Sequence, residues 1–403
     1  MEKYKALAER INYGLFLVTV FLLPFPQIFL RYAYVFWLVS WVAEGRWLHR
    51  PKPIKENKML IPVLLFGLWY LWKILTGLWA PDHAAWAAQM ERYLTFGVLL
   101  PIFIWGVNAH YDWRQIGRVL VIGCVCTVFF YPALLTVLFY HRELIDILHW
   151  VAPWDYSSDD WLYFYQFNIS HIKHRLFLSS VEILGMIAAV QLWCQRRALW
   201  ITLTVLMAGS CLFTGSRQSI LTIAVVASIA IILNLPKQVR WKSGIGIILI
   251  GLILGCGILS FQPRMQHFNV LTENRTLIWE RALDHPSDYF WHGLGAGQDR
   301  SYLTALFNEA GWPANFWEVR HCHCQYLQEL MELGIGGLLL FLCAWLSIPL
   351  CANNKGRQTA ILFTALYACN MFTDCMFGLF CGVALWAVGV LFISLQSDTA
   401  REQ

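Results

Sequence analysis

Charge is what this sequence has least of. Only 14% of its 403 residues are Asp, Glu, Lys or Arg, where a water-soluble globular chain carries about 25%. With 58% hydrophobic residues and a mean hydropathy of +0.52, that deficit excludes a soluble enzyme, a disordered chain and a fibre. A nucleic-acid binder is excluded as well, because the formal net charge is only +5 and the basic residues are scattered rather than gathered in a stripe. Cysteine is modest at 12 residues. Most of them (Cys124, Cys126, Cys194, Cys211, Cys256, Cys343, Cys369) lie inside apolar runs, where they pack as small hydrophobes rather than forming a disulfide framework. No cleavable leader is evident, since the first apolar run leads straight into the second without a small-residue cleavage site. Repeats and low-complexity tracts are missing, and so is any well-placed pair of carboxylates for acid–base hydrolysis.

What the sequence does have is long apolar runs. Crossing the hydrocarbon takes roughly 20 apolar residues, and candidates fall at about 11–24, 28–44, 59–80, 93–109, 119–140, 176–194, 198–213, 220–235, 243–260, 326–350, 359–373 and 379–396. The reading is an all-α polytopic membrane protein of about twelve transmembrane helices. Pro24-Phe25-Pro26 makes a tight hairpin of the first two. Lys and Arg are several-fold denser in the segments that lie inside when the N-terminus is inside: Arg46, Arg50, Lys52, Lys55 and Lys58 in one loop, Arg114 and Arg118 in another, Arg196 and Arg197 in a third. The positive-inside rule therefore puts both termini in the cytoplasm. The chain divides into helices 1–9 with a smaller outer loop at about 141–175 (residues 1–260), a large outer loop region at 261–325, and helices 10–12 (residues 326–403).

The outer side carries few basic residues, so each needs a local reason. Arg175 stands just before span six, Arg217 in the short link Thr214-Gly215-Ser216-Arg217-Gln218-Ser219, and Arg275 in the large loop. A guanidinium is a planar fork that matches phosphate oxygens and cannot shed its proton when buried. Two uses compete: gripping an anionic lipid headgroup, a pyrophosphate above all, or pairing with a local carboxylate and snorkelling to the interface. Pairing or snorkelling is favoured for Arg92, Arg142 and Arg264. Phosphate binding is favoured for Arg217, whose link holds no acid. Aromatics crowd the smaller loop (His149-Trp150, Trp154-Asp155-Tyr156, Trp161-Leu162-Tyr163-Phe164-Tyr165), suited to interface anchoring and also to stacking on sugar rings.

At the mouth of span ten stands His321-Cys322-His323-Cys324-Gln325-Tyr326-Leu327-Gln328. An imidazole there is placed to take a proton from an acceptor hydroxyl. A metal site from these four residues is disfavoured, because adjacent ligands rarely fit a tetrahedron. Gly293-Leu294-Gly295-Ala296-Gly297 resembles a nucleotide loop only superficially, with no Lys-Ser/Thr after it. It reads better as a turn needing close backbone approach. Asp82, Asp155, Asp159, Asp160 and Asp374 are sugar-contact candidates against a background of solvated loop charge.

Gly215-Ser216-Arg217 between two spans, Arg275-Thr-Leu-Ile-Trp279-Glu-Arg-Ala282, the Gly293-x-Gly295-x-Gly297 turn, His323-Cys324-Gln325-Tyr326-Leu327-Gln328 and Glu332-Leu333-Gly334-Ile335-Gly336-Gly337 occur in this order. Together they resemble the O-antigen ligase / O-antigen polymerase superfamily of Gram-negative inner-membrane glycosyltransferases, across about 210–345. The resemblance implies a GT-C-like fold facing the periplasm and an inverting, metal-independent transfer with no cofactor. The donor it implies is an undecaprenyl-pyrophosphate-linked glycan, bound by Arg217, Arg275 and more weakly Arg175, and the partners are a lipid A–core acceptor and membrane lipid. It makes His323 the general base, with His321 and Gln328 as secondary candidates. Where the family has Asn after the motif His, this chain has Cys324, which keeps His321 in contention. A chain near 400 residues with one dominant late loop fits the ligase better than the polymerase. An anionic-solute transporter fits less well, since its polar groups would gather at the midplane.

Overall fold

The computed structural model describes residues 2–48, 54, 57–147, 159–192, 197–260, 274–311 and 321–398. His149, Trp150, Trp154, Asp155, Tyr156, Cys194, Arg264 and Arg320 lie outside the described residues. Among those described, the chain is helical with no strands. Every predicted apolar run coincides with a helix: α1 (Glu2–Leu22), α2 (Gln27–Ala43), α3 (Leu60–Leu75), α4 (His83–Trp105), α5 (Trp113–Tyr140), α8 (Arg175–Gln191), α9 (Arg197–Phe213), α10 (Arg217–Asn234), α11 (Lys237–Ser260), α14 (Gln325–Cys351), α15 (Asn354–Met371) and α16 (Phe380–Asp398). Short helices α6 (Glu143–Ile147) and α7 (Trp161–Ile172) fill the smaller loop, and α12 (Asn274–Asp284) and α13 (Asp299–Glu309) the larger.

Five segments are long and apolar enough to cross a membrane by length and composition: Leu60–Leu78, Trp113–Tyr140, Arg217–Asn234, Gln325–Cys351 and Phe380–Asp398. Gln27–Ala43, Arg197–Phe213 and Ser243–Ile258 are apolar but shorter. Large apolar side chains such as Phe129, Val205, Ile253, Leu254 and Leu350 face outward, a surface that water would penalise and lipid would not. This is a multi-pass membrane protein. Three cysteines of the apolar runs, Cys126, Cys256 and Cys343, also face outward, whereas Cys124 and Cys211 pack inside as expected.

The bundle is built around α16, 78% of whose apolar window is buried, against 28% for peripheral α10. Phe66, Trp69, Phe96, Trp345, Tyr367, Phe377 and Trp386 interlock at its centre, with Phe96 and Trp386 ring centroids 4.7 Å apart. α3 packs along α14, α8 along both α5 and α9, and α10 between α11 and α15.

One helix is broken on purpose. In α14, Gly334 takes φ 70° and ψ −175°, which strips Ile335 of its helical acceptor and frees the carbonyls of Met331 and Glu332. The segment 290–295 fills the gap. Leu294 N–H donates to the Met331 carbonyl at 2.8 Å, Gly295 N–H to Glu332 at 3.0 Å, and Ile335 N–H to the Phe290 carbonyl at 2.7 Å. Backbone groups at membrane depth must find partners within the protein, and here a loop supplies them. The splice also explains the glycines. Gly293 has φ +73°, and a Cβ there would run into the Glu332 carbonyl; at Gly295 it would meet Ala80 at 2.8 Å. The Gly-rich turn is thus a close-approach device, locked to the helix that begins at the His-rich motif.

Beneath it, Lys73 of α3 is fully buried and sits 2.6 Å from Glu332 Oε2 and 3.2 Å from Glu329 Oε2. Glu332 Oε1 accepts from Gln328 Nε2 and Gly297 N–H, both at 3.0 Å, and Glu329 Oε2 from Trp69 Nε1 at 2.7 Å. A buried lysine is tolerable only when compensated in this way.

Candidate functional site

Two helices start at the same place. α8 begins at Arg175, behind His174, which occupies its N-cap without a side-chain cap. α10 begins at Arg217, behind the N-cap Ser216, whose hydroxyl accepts from Ser219 N–H. The link between α9 and α10 turns at Gly215 (φ +64°), where a Cβ would strike Gln166 at 2.8 Å. Gln166 in turn gives its carbonyl to Arg175 Nη1 at 3.1 Å, so the glycine and the arginine share one neighbour. Unpaired N–H groups and the helix dipole make such starts attractive to anions.

A buried polar network fixes the register of these starts. Asn370 of α15 donates from Nδ2 to Ser180 Oγ of α8 and accepts at Oδ1 from Thr222 Oγ1 of α10, both at 2.8 Å. Gln218 donates to the Cys369 carbonyl at 2.6 Å, and Asp374 N–H to the Asn370 carbonyl at 3.0 Å. One asparagine thus ties together Arg175, Arg217 and the loop that presents Asp374. Lys173, two residues before Arg175, is spent elsewhere, donating to the Leu23 carbonyl of the α1–α2 turn at 3.0 Å.

The result is a cleft of about 150 Å³ lined by His174, Arg175, Leu176, Gly215, Ser216, Arg217, Gln218, Arg275, Thr373 and Asp374. All three predicted arginines reach it. Arg275 arrives on α12, which Trp279 holds in place by donating from Nε1 to the Cys322 carbonyl at 2.8 Å.

His323 borders the same ground through Asp374. The ligating atoms of His321, His323 and Asp374 all lie within 4.8 Å of one another. Asp374 bridges two other imidazoles, with His174 Nε2 at 3.9 Å from Oδ2 and His321 Nε2 at 3.9 Å from Oδ1. His321 Nδ1 accepts the His323 backbone N–H at 3.1 Å, which assigns its proton to Nε2, toward Asp374. The two imidazole centroids of the motif are 4.0 Å apart. His323 is the one non-glycine residue with positive φ (53°) among those described, a strained conformation of the sort that collects at functional sites. Its Nδ1 is buried without a hydrogen-bond partner among the described residues. Burial, then His321 and Arg275, push its pKa down to about 3, against a smaller opposing pull from Asp374. His174 is lowered too, mainly by burial. The imidazole of His323 is therefore neutral at physiological pH.

The other candidates go elsewhere. Gln328 is tied to Glu332 in the Lys73 network and does not line the cleft. Asp82 and Asp160 cap helices α4 and α7, Asp159 pairs with Arg142 at 3.2 Å, and Arg92 leans on Gln89 at 3.4 Å. Of the described aspartates singled out from sequence, Asp374 alone enters the site. Cys324 occupies the N-cap of α14 without capping it, and burial raises its thiol to about 11. The three-residue set His321, His323 and Asp374 has the proximity to hold an ion, a different set from the four adjacent residues weighed on sequence.

Fold and cleft together describe a polytopic membrane protein with an arginine-lined cleft where two of its helices start. Residues 202–342 match the family described as O-antigen ligase. The match supports the O-antigen ligase/polymerase superfamily and its general function in lipopolysaccharide biosynthesis. It spans Arg217, Arg275, His321 and His323, and leaves Arg175 and Asp374 outside. A comparison with curated proteins finds no match.

Proposed function

We propose that this protein is an O-antigen ligase that moves a glycan from undecaprenyl pyrophosphate onto the lipid A–core oligosaccharide at the periplasmic face of the inner membrane, both termini being cytoplasmic. The observation that carries the reading is the convergence of Arg175, Arg217 and Arg275 with two helix starts on one small cleft, beside a neutral imidazole. The arginines and the α8 and α10 N–H groups hold the diphosphate and stabilise the charge that grows on it as the glycosidic bond breaks, the term that usually dominates such catalysis. No carboxylic acid is needed for a leaving group whose charge is already neutralised. His323 takes the proton of the acceptor hydroxyl, which attacks the anomeric carbon from the opposite face and inverts it. Asp374 orients the imidazoles.

An imidazole with so low a basicity is a poor base while the cleft is empty. A diphosphate on the arginines offsets the repulsion from Arg275 and adds negative charge nearby, and both raise the imidazole's affinity for a proton. The donor thus arms the base that uses it.

A lipopolysaccharide profile of a deletion strain tests the reading. Uncapped core with accumulated polymeric lipid-linked glycan supports the ligase, and core carrying a single repeat unit points to a polymerase instead. Transfer that persists in EDTA supports the metal-independent route. Loss that zinc restores would assign His321, His323 and Asp374 to an ion.

A further inference from the structure

The opposite end of the bundle holds a second basic cavity. It measures about 620 Å³ and lies where α5 starts, α8 ends and α9 starts. Arg114 and Arg118 stand one turn apart on α5 and line it, flanked by Trp113 and Trp200. Neither guanidinium has an ion pair or a hydrogen bond among the described residues; Arg114 lies over the Trp113 ring at 5.5 Å. The one nearby acid on the same element, Asp112, is taken as the α5 cap by Arg114 N–H at 3.0 Å. Leu192 and Leu199 sit at the α8 end and the α9 start, Ile122 and Leu203 line the cavity one turn further along α5 and α9, and Ile122 and Leu199 are exposed. α8 runs 17 residues from Arg175 to Gln191, so this cavity is roughly 24 Å along the axis from the arginine cleft at 1.5 Å per residue.

We infer that this cavity binds an anionic glycerophospholipid of the cytoplasmic leaflet, its phosphate on Arg114 and Arg118 and its acyl chains along Ile122, Leu199 and Leu203. Paired guanidiniums and indoles at the helix ends, with aliphatic side chains beside them and a turn further in, match a phospholipid's headgroup and tails. A small anion would use only the rim. Basic pockets between helices on the cytoplasmic side are suited to such headgroups, and tryptophans belong at that depth.

The test places the delipidated full-length protein in nanodiscs of phosphatidylcholine with increasing phosphatidylglycerol and reads retained lipid by native mass spectrometry. Wild type should retain phosphatidylglycerol in preference to phosphatidylcholine. An Arg114→Gln/Arg118→Gln variant should lose about fivefold in retention for each guanidinium, so about 25-fold for both. Equal retention by wild type and variant would overturn the inference, as would the absence of a preference in wild type. Displacement of the lipid by millimolar inorganic phosphate would also overturn it, by making the site one for a small anion. Should the double variant fail to fold, Arg118→Gln alone and the wild-type competition between the two lipids decide the question.

Discussion

Replacing Gly293 by Ala tests the splice between the Gly-rich turn and α14. The residue sits at φ +73°, and the new methyl would collide with the Glu332 carbonyl, so either the turn or the helix must move. Three buried backbone hydrogen bonds cross this junction, at 2.7, 2.8 and 3.0 Å. At about 1 kcal/mol net for each bond weakened, plus about 1 kcal/mol for a side chain in the left-handed region, the expected destabilisation is about 4 kcal/mol. Gly336 is the control, the residue next after Ile335 at the far edge of the splice: it is helical, and a Cβ there meets nothing within 4 Å. Gly336→Ala should be neutral or stabilise by up to about 1 kcal/mol, because alanine is the better helix former. The assay is thermal unfolding of both variants in the same detergent, with transfer activity measured in parallel in membrane vesicles. Gly293→Ala should melt well below wild type and transfer poorly, since the turn holds the helix that begins two residues after His323. A Gly293→Ala protein as stable as the Gly336→Ala control would refute the account of both the turn and the helix break.

Three further outcomes follow from the cleft. His323→Ala should lower transfer by about 10²–10⁴-fold, the usual span for a general base, while expression and melting stay near wild type; if His321→Ala is dead and His323→Ala active, the base is His321. Arg217→Lys keeps the charge but loses the fork, and forfeiting a charge-assisted hydrogen bond of about 1.5–3 kcal/mol should reduce transfer by about 10–100-fold; full activity there would favour a snorkelling arginine. Stability should fall with acid: His323 binds its proton at about 3 in the fold against 6.5 ordinarily. Between those values the unfolded chain takes up a proton that the folded one refuses, and stability present above pH 6.5 is lost as pH drops toward 3. His323→Gln should flatten that part of the melting curve between pH 4 and 7, leaving the smaller contribution of His174.

Hydropathy made the helices legible because burying a backbone in lipid demands long apolar runs, and each run from 11–24 to 379–396 is helical. The arginines were legible for a different reason. Basic residues on the wrong side of the charge asymmetry need a partner, and Arg175, Arg217 and Arg275 meet in one cleft. What stayed hidden depends on how distant helices are rotated against each other. Nothing in hydropathy pairs Lys73 with Glu329 and Glu332, although a lone lysine in an apolar run and two glutamates three apart in another were each a signal of a buried counter-charge. Asn370, Ser180 and Thr222 each read as a minor polar residue of its own span, and only the packed bundle joins them. Gln328 followed the motif in sequence but turned to the Lys73 side of α14, because residues on one helix face opposite directions within two positions.

The Lys73 network and the arginine cleft both lie toward the end of the bundle where α14 begins, and they hold charge in different settings. At Lys73 the counter-charges are built in, with both carboxylates held by several donors, so that site is satisfied with no ligand and serves to fix the turn against α14. In the cleft, three guanidiniums share their surroundings with one buried carboxylate, Asp374, and with imidazoles that burial keeps neutral. In the proposed reaction a diphosphate from outside joins the three guanidiniums, and the basicity of the neighbouring imidazole responds to the charge it brings. Under the proposed mechanism the acceptor hydroxyl meets a competent base only when the diphosphate is bound, which couples deprotonation to the presence of the donor.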